Sequence, residues 1–326
     1  MYQQLGEACL KTGETVEIGL IVPPDAENAE RLRSLLGHKG WEWVWQVELS
    51  LTGKTDLLEN RFYVARRGGE VVSNVCTFEN AGVGILGHVW TPPTERRKGL
   101  CTAIFAEVMK DYRSRGGGLM LLGTGYDTPP YHIYRRFGFE GYCEGSGLMR
   151  YSTEADFEAR YFAAGETKVV EATWAAWPKI NALVAEPEEF VKSIAYARSY
   201  KDTVEDAYLW LKHLAAQNER VCVKLLESES TGAIVGYAWV VPDKRFPGVF
   251  VLDLYCHPNH ASGYAKLLGA MTWPAAKVQT YVQTGLEDKT RAVASAGFEL
   301  EATLARQLAK RDGFADLCVY SRRQAR

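Results

Sequence analysis

The stretch Thr91 to Phe105, reading TPPTERRKGLCTAIF, narrows the folds open to this chain more than any other. It leaves an apolar run, Gly84-Ile85-Leu86-Gly87-His88-Val89-Trp90, that reads as a strand. It then crosses a short turn of prolines and basic residues and enters a segment of helical spacing. Cys101, Ile104, Phe105, Val108 and Tyr112 recur at three- and four-residue intervals, the period of an amphipathic helix. Gly116-Gly117-Gly118 ends it, as glycine does past a helix C-terminus. A basic, glycine-containing loop therefore sits at a helix N-terminus. The first N–H groups of a helix have no intrahelical partner and its dipole is positive there, which suits a phosphate or pyrophosphate. Arg96, Arg97 and Lys98 add charge-assisted contacts, and Gly99 lets the backbone come close. The alternative is a basic helix start that faces water.

The sequel extends the pattern. Leu119-Met120-Leu121-Leu122 suits a buried strand. Asp127 and Thr128 offer N-caps, and Pro129-Pro130 opens a helix that carries Tyr131 to Phe137 and stops at Gly138-Phe139. Upstream, Thr15 to Val22 reads as a strand, and Asp25 caps a helix whose apolar side uses Ala26, Ala29, Leu32 and Leu36. WEWVW alternates Trp41, Trp43 and Trp45; if extended, its three indoles share one face, either a core or interface face or an aromatic substrate wall. Arg61 to Arg66 and Val71 to Phe78 form a hairpin across Gly68-Gly69, and with 83–91 they make an antiparallel meander.

At 326 residues the chain is long enough for two domains, and 47% apolar with 12% aromatic residues supplies their cores. The net charge of −2 points away from nucleic acid and anionic membranes, so the basic cluster at 96–98 fits a small polyphosphate ligand better. Seven scattered cysteines without a CxxC pair read as reduced thiols in a cytoplasmic protein, with no zinc or other metal site expected. No signal pattern opens the sequence, and no apolar run approaches the roughly 20 residues that span a bilayer.

Arg96-Arg97-Lys98-Gly99-Leu100-Cys101 resembles the acyl-CoA loop of the GCN5-related N-acetyltransferases (GNAT), whose pattern is Gln/Arg-x-x-Gly-x-Gly/Ala. Pro93 matches a proline that this family often places there, whereas Cys101 departs from the final Gly/Ala. Tyr134, four residues before Gly138-Phe139, fits the family's second signature, and the order of strands and helices agrees. The resemblance implies an acyl transfer from acetyl-CoA to an amine. It implies that pantetheine pairs with the strand end at Val89, Trp90 and Thr91. The pyrophosphate would lie on Arg96, Arg97, Lys98, Gly99, Leu100, Cys101 and Thr102. It makes Tyr134 the candidate general acid beside the sulfur, the alternative being a buried tyrosine with a satisfied hydroxyl. His88 is the candidate base, acting directly or through water, or else a strand histidine turned away from the cleft. Glu79 and Glu95 are weaker candidates, each read more readily as a solvated turn carboxylate.

From about Ala155 to Gly165 the pattern is polar and linking, after which the order begins again. Lys168 to Trp174, Val221 to Leu226, Ala233 to Val241, Val249 to Cys256 and Val278 to Val282 read as strands. Pro187 opens a helix using Phe190, Val191, Ile194 and Ala197, and Thr203 to Asp206 resembles a capping box. The expected fold is thus α/β with mixed, mostly antiparallel sheets: two tandem GNAT-like domains, 1–152 and 166–326. The second copy reads as degenerate. Its loop, His257 to Ala265, has no Lys or Arg, and Val293 stands four residues before Gly297. The expected activity is N-acetylation of a small-molecule amine. A non-catalytic acyl-CoA-binding module and a different phosphate-binding protein are the alternatives, the latter without a GxxxxGK[ST] or GxGxxG pattern.

Overall fold

The structure is a computed structural model that describes residues 1–185, 205–218, 220–310 and 313–323. The chain divides into two compact units, Met1–Phe157 with Thr173–Ala182, and Glu158–Ala172 with Leu183–Arg326. Among the described residues the strands form two mixed sheets, one of eight strands and one of seven.

In the first unit, β1 (Tyr2–Cys9), β2 (Thr15–Ile21), β3 (Glu59–Arg67), β4 (Glu70–Asn80) and β5 (Val83–Trp90) run as an antiparallel meander. β6 (Leu119–Gly123) joins β5 in parallel, and β8 (Leu148–Ser152) then lies between β6 and β7 (Glu140–Gly141). Helix α1 (Ala26–Leu36) starts where Asp25 accepts a 3.1 Å bond from the Asn28 N–H. Helix α2 (Trp41–Leu51) follows it. Helix α3 (Leu100–Ser114) buries Ile104, Phe105, Val108 and Tyr112 of the expected stripe together with Leu100 and Met109, while Cys101 is only partly buried. It ends with Gly116 at φ 77°, which brings the Gly117 N–H to Tyr112 O at 2.9 Å and the Gly116 N–H to Arg113 O at 3.0 Å. This Schellman pair satisfies carbonyls that the helix end leaves free. Helix α4 (Pro129–Arg136) precedes Gly138-Phe139.

One core cluster joins Tyr63, Val75, Leu86, Leu100, Ile104, Phe105, Tyr134 and Phe139 on the α3 side of this sheet. Strand alternation turns Phe62, Val64 and Phe78 to the other face, and all three are fully buried.

In the second unit, β9 (Thr167–Glu171), β10 (Cys222–Ser228), β11 (Ile234–Pro242) and β12 (Val249–Cys256) form the meander. β13 (Lys277–Gln283) lies parallel to β12, and the hairpin β14 (Glu299–Lys310) and β15 (Gly313–Arg322) closes the order β14-β15-β13-β12-β11-β10-β9. Taken from β9, this is the strand order found from β2 onward in the first sheet. Its loop differs. His260 is buried and bonds Ala163 O at 3.0 Å, and Asn259 donates to Phe162 O at 3.0 Å. A Cβ added to Gly263, the first residue of the next helix, would lie 2.2 Å from a Leu226 methyl. That helix start is packed against the sheet, with no room for a ligand between.

Several expectations are corrected. WEWVW is helical, not extended: the burial of Gln46, Val47, Ser50 and Leu51 carries a helical period past the tryptophans, so their two-residue alternation was too short a window. Trp41 is half exposed, and the three indoles do not share a face. The polar stretch 155–165 contains a short helix, α5 (Phe157–Tyr161), and both Tyr161 and the following Phe162 are buried. β9 stops at Glu171, and Trp174 is buried beyond it. The helix expected from Pro187, and Thr203 with Val204 of the capping box, lie outside the described residues.

Candidate functional site

The parallel pairing of β5 with β6 covers only Val83 to Ile85, opposite Leu119 to Leu121. Beyond Ile85 the two strands part, and β5 runs on to Trp90 without a strand partner on that side among the described residues. On its other side the register with β4 slips between Asn74 and Cys76, so that His88 and Val89 oppose the single residue Val75. This bulge holds His88 at φ 48°, a conformation β-branched residues avoid. Two side chains of β4 lock it. Asn74 Nδ2 donates to His88 O, and Ser73 Oγ donates to Trp90 O at 3.0 Å while lying 2.7 Å from Thr91 Oγ1. Sequence reading missed Ser73 and Asn74, because nothing local marks a strand position as facing a bulge.

The bulge also separates the two side chains assigned to catalysis. Val89 packs with the α3-side core that contains Tyr134. His88 turns to the opposite face, with ring contacts to Trp43 at 4.6 Å and Phe78 at 5.5 Å. His88 is 5% exposed, its Nε2 has no hydrogen-bond partner among the described residues, and burial pulls its pKa down to about 3. Lys39 and His38 push it the same way. Tyr134 is also 5% exposed and stacks on Phe105 at 5.2 Å. Burial, with Cys101 as a lesser cause, raises its hydroxyl well above the usual tyrosine range. Burial likewise pushes the Cys101 thiol up to about 11. The structure thus brings Tyr134 to Cys101, at the start of α3, and keeps His88 apart from both.

The basic loop is a tight, positive-φ turn. Pro93–Glu95 forms a single helical turn, and Arg97 (φ 64°) and Gly99 (φ 102°) both take left-handed conformations before α3 begins. No side chain caps α3, so the N–H groups of Leu100, Cys101 and Thr102 are open in its first turn. Donors so arranged suit an anion, which is the test a bound phosphate would set. The three cations are not equivalent. Lys98 is spent on Glu95 at 3.0 Å, and Glu95 also holds Arg67 at 2.9 Å, which keeps that carboxyl below its usual range. Arg96 donates to Thr91 O at 2.9 Å and lies 5.2 Å from the Trp90 ring, whose face stacks on His38 at 3.9 Å. Arg97 alone of the three is exposed with no internal contact among the described residues. The loop is pinned to the β1–β2 turn by the Lys11 N–H bond to Lys98 O at 3.0 Å.

Glu79 is neither solvated nor near this loop. It is 2% exposed and takes a two-pronged bond from Arg115 at 2.8 and 3.0 Å. A groove of about 240 Å³ opens between α1 and α2, walled by Leu36, Trp43, Val44 and Val47 with Arg33, Lys39 and Glu48 beside it. Among the described residues no cluster of three or more His, Cys, Asp or Glu could hold a metal ion, and no helix is long and apolar enough to cross a membrane.

Against known proteins, the family model described as acetyltransferase (GNAT) domain matches residues 38–141, the span that contains the bulge, the loop and Tyr134. That part of the chain is similar to a GNAT acetyltransferase domain. No curated protein matches the chain. Among solved structures, a GNAT-family acetyltransferase from Streptococcus pneumoniae is 17% identical, with a TM-score of 0.38 over 48% of this chain and 99% of its own. An N-acetyltransferase from Staphylococcus aureus Mu50 is 15% identical, with a TM-score of 0.39 over 49% and 99%. A Salmonella typhimurium protein solved with acetyl-CoA is 17% identical, with a TM-score of 0.38 over 48% and 93%.

Proposed function

We propose that the first unit is an acetyl-CoA-dependent N-acetyltransferase that acts on a primary amine. The observation that carries this reading is the left-handed turn at Arg97 and Gly99, opening onto the uncapped start of α3 beside the parted strands β5 and β6. The first supplies donors for a pyrophosphate, and the second leaves strand backbone free for an amide-bearing pantetheine arm. Arg97 and the N–H groups of Leu100, Cys101 and Thr102 would hold the phosphates, with Arg96 at the rim, while Val89, Trp90 and Thr91 would face the arm. When bound, acetyl-CoA supplies the thioester whose C–S bond breaks as the C–N bond forms.

The chain's own contribution is to handle two protons. Tyr134, held protonated throughout the physiological range, gives its proton to the departing sulfur. His88 is neutral under the same conditions and so presents a lone pair for the proton the amine gives up, by direct contact, since its edge is closed to water; a pKa of about 3 makes it a weak base. The acceptor we favour is a small amine whose apolar body occupies the groove between α1 and α2. The second unit, which repeats the strand order but has a packed, uncharged loop, is read as a tandem copy that lost its CoA site.

The test is thiol release from acetyl-CoA over a panel of amines. Tyr134→Phe is expected to lower kcat about 100-fold while leaving CoA affinity intact. Wild-type turnover that Tyr134→Phe leaves unchanged would remove the acid role, and CoA binding without turnover on any amine would favour a binding module instead.

A further inference from the structure

Residues 173–182 lie outside the span matched by the acetyltransferase model, yet they belong to the first compact unit. Their anchor is Trp177, at the start of α6 (Ala176–Ala185), which is 0% exposed. Its indole lies 5.4 Å from the Trp43 ring and 5.1 Å from the Phe78 ring. These are the two rings that edge the His88 imidazole. A neighbouring pair secures the segment: Trp174 packs on Trp45 at 5.5 Å, and the Trp174 N–H donates to Asp56 at 3.1 Å. The sheet face behind His88 is therefore completed by a ring some ninety positions further along the chain.

We propose that Trp177 is a positioning residue of the first unit's site, clamping Trp43 and Phe78 against His88 and closing the imidazole edge to water. Trp43 and Phe78 alone would leave the imidazole room to slide; the Trp177 indole, packed against both, restricts that movement. The charged groups that act on His88 are Lys39 and His38, and both disfavour its protonation. Among the described residues no group of opposite sign acts on it. The dry cage adds the larger part of the effect, because burial is the first cause of the low pKa. The consequence for catalysis rests on the function proposed above; the cage itself does not.

The test reads His88 directly and needs no substrate. Full-length protein carrying isotope-labelled histidine is titrated by NMR, with the His88 signal assigned through His88→Gln. In the wild type the signal stays that of neutral imidazole down to about pH 4, as a pKa of about 3 requires. In Trp177→Leu, which keeps an apolar side chain but no ring, the midpoint is expected to rise by roughly one pH unit or more. Trp177→Phe is expected to fall between the two. Met109→Ala, a cavity in the α3-side core, is expected to leave it unchanged. A wild-type midpoint in Trp177→Leu overturns the proposal, and so does an equal shift in Met109→Ala. Should Trp177→Leu not fold, a wild-type midpoint in Trp177→Phe overturns it instead. An absence of acetyl transfer, by contrast, would leave these titrations as they are.

Discussion

His88 ties the stability of the first unit to acid. Its folded pKa, about 3, lies below the 6.5 of the free imidazole, so the unfolded chain binds the extra proton between those values. Stability is complete above about pH 6.5 and falls as pH drops toward 3, by up to about 1.4 kcal/mol per pH unit for this one group. Urea midpoints at pH 7 and pH 5 should therefore diverge less in His88→Gln than in the wild type. An equal pH dependence in both would place the acid sensitivity elsewhere. Glu79 makes a separate case. Its carboxylate is buried against Arg115, which keeps Asp111 as a second partner at 2.8 Å, so Glu79→Ala removes a charge-assisted pair without orphaning the cation and is expected to cost about 2 kcal/mol. Denaturant unfolding checks this, and a change near zero would contradict the structural role assigned to it.

Among the elements, the loop before α3 holds the sharpest prediction. Gly99 sits at φ 102°, and a Cβ there would come no closer than 3.7 Å to Lys11, so Gly99→Ala suffers from its backbone angle and not from crowding. A loss of about 1–2 kcal/mol is expected, with weaker CoA binding as the turn relaxes. Unchanged stability and affinity would mean that the turn tolerates a right-handed path. This loop, α3 and α4 were legible because each carries its signal locally: a stripe of apolar residues, a stop at glycine, a capping residue. The helix α2 was not, since five alternating residues satisfy a strand as readily as a helix until the burial of Val47 and Leu51 extends the count. β1 and the long hairpin β14–β15 also escaped. β1 and β14 are edge strands with little buried alternation to read, whereas β15 lies inside the sheet and buries Ala315, Leu317 and Val319. At the candidate site, the basic loop before α3 was legible as a helix start, while Tyr134 was singled out by the family resemblance. Ser73, Asn74 and Trp177 were not legible, because the bulge and the ring cage bring together residues that no sequence interval links.

At the scale of the whole chain, two sheets share one strand order, but only the first has an open, positively charged helix start. The loop of the second is uncharged and closed by Leu226 and by the bonds from Asn259 and His260. Calorimetric titration of the full chain with acetyl-CoA, beside Arg97→Ala and Lys98→Ala, tests this asymmetry most directly. One site per chain is expected. Arg97→Ala should weaken it about tenfold or more, as loss of a charge-assisted phosphate contact does, and Lys98→Ala less, since Lys98 is already paired with Glu95. Two sites per chain, or no binding at all, would contradict the account.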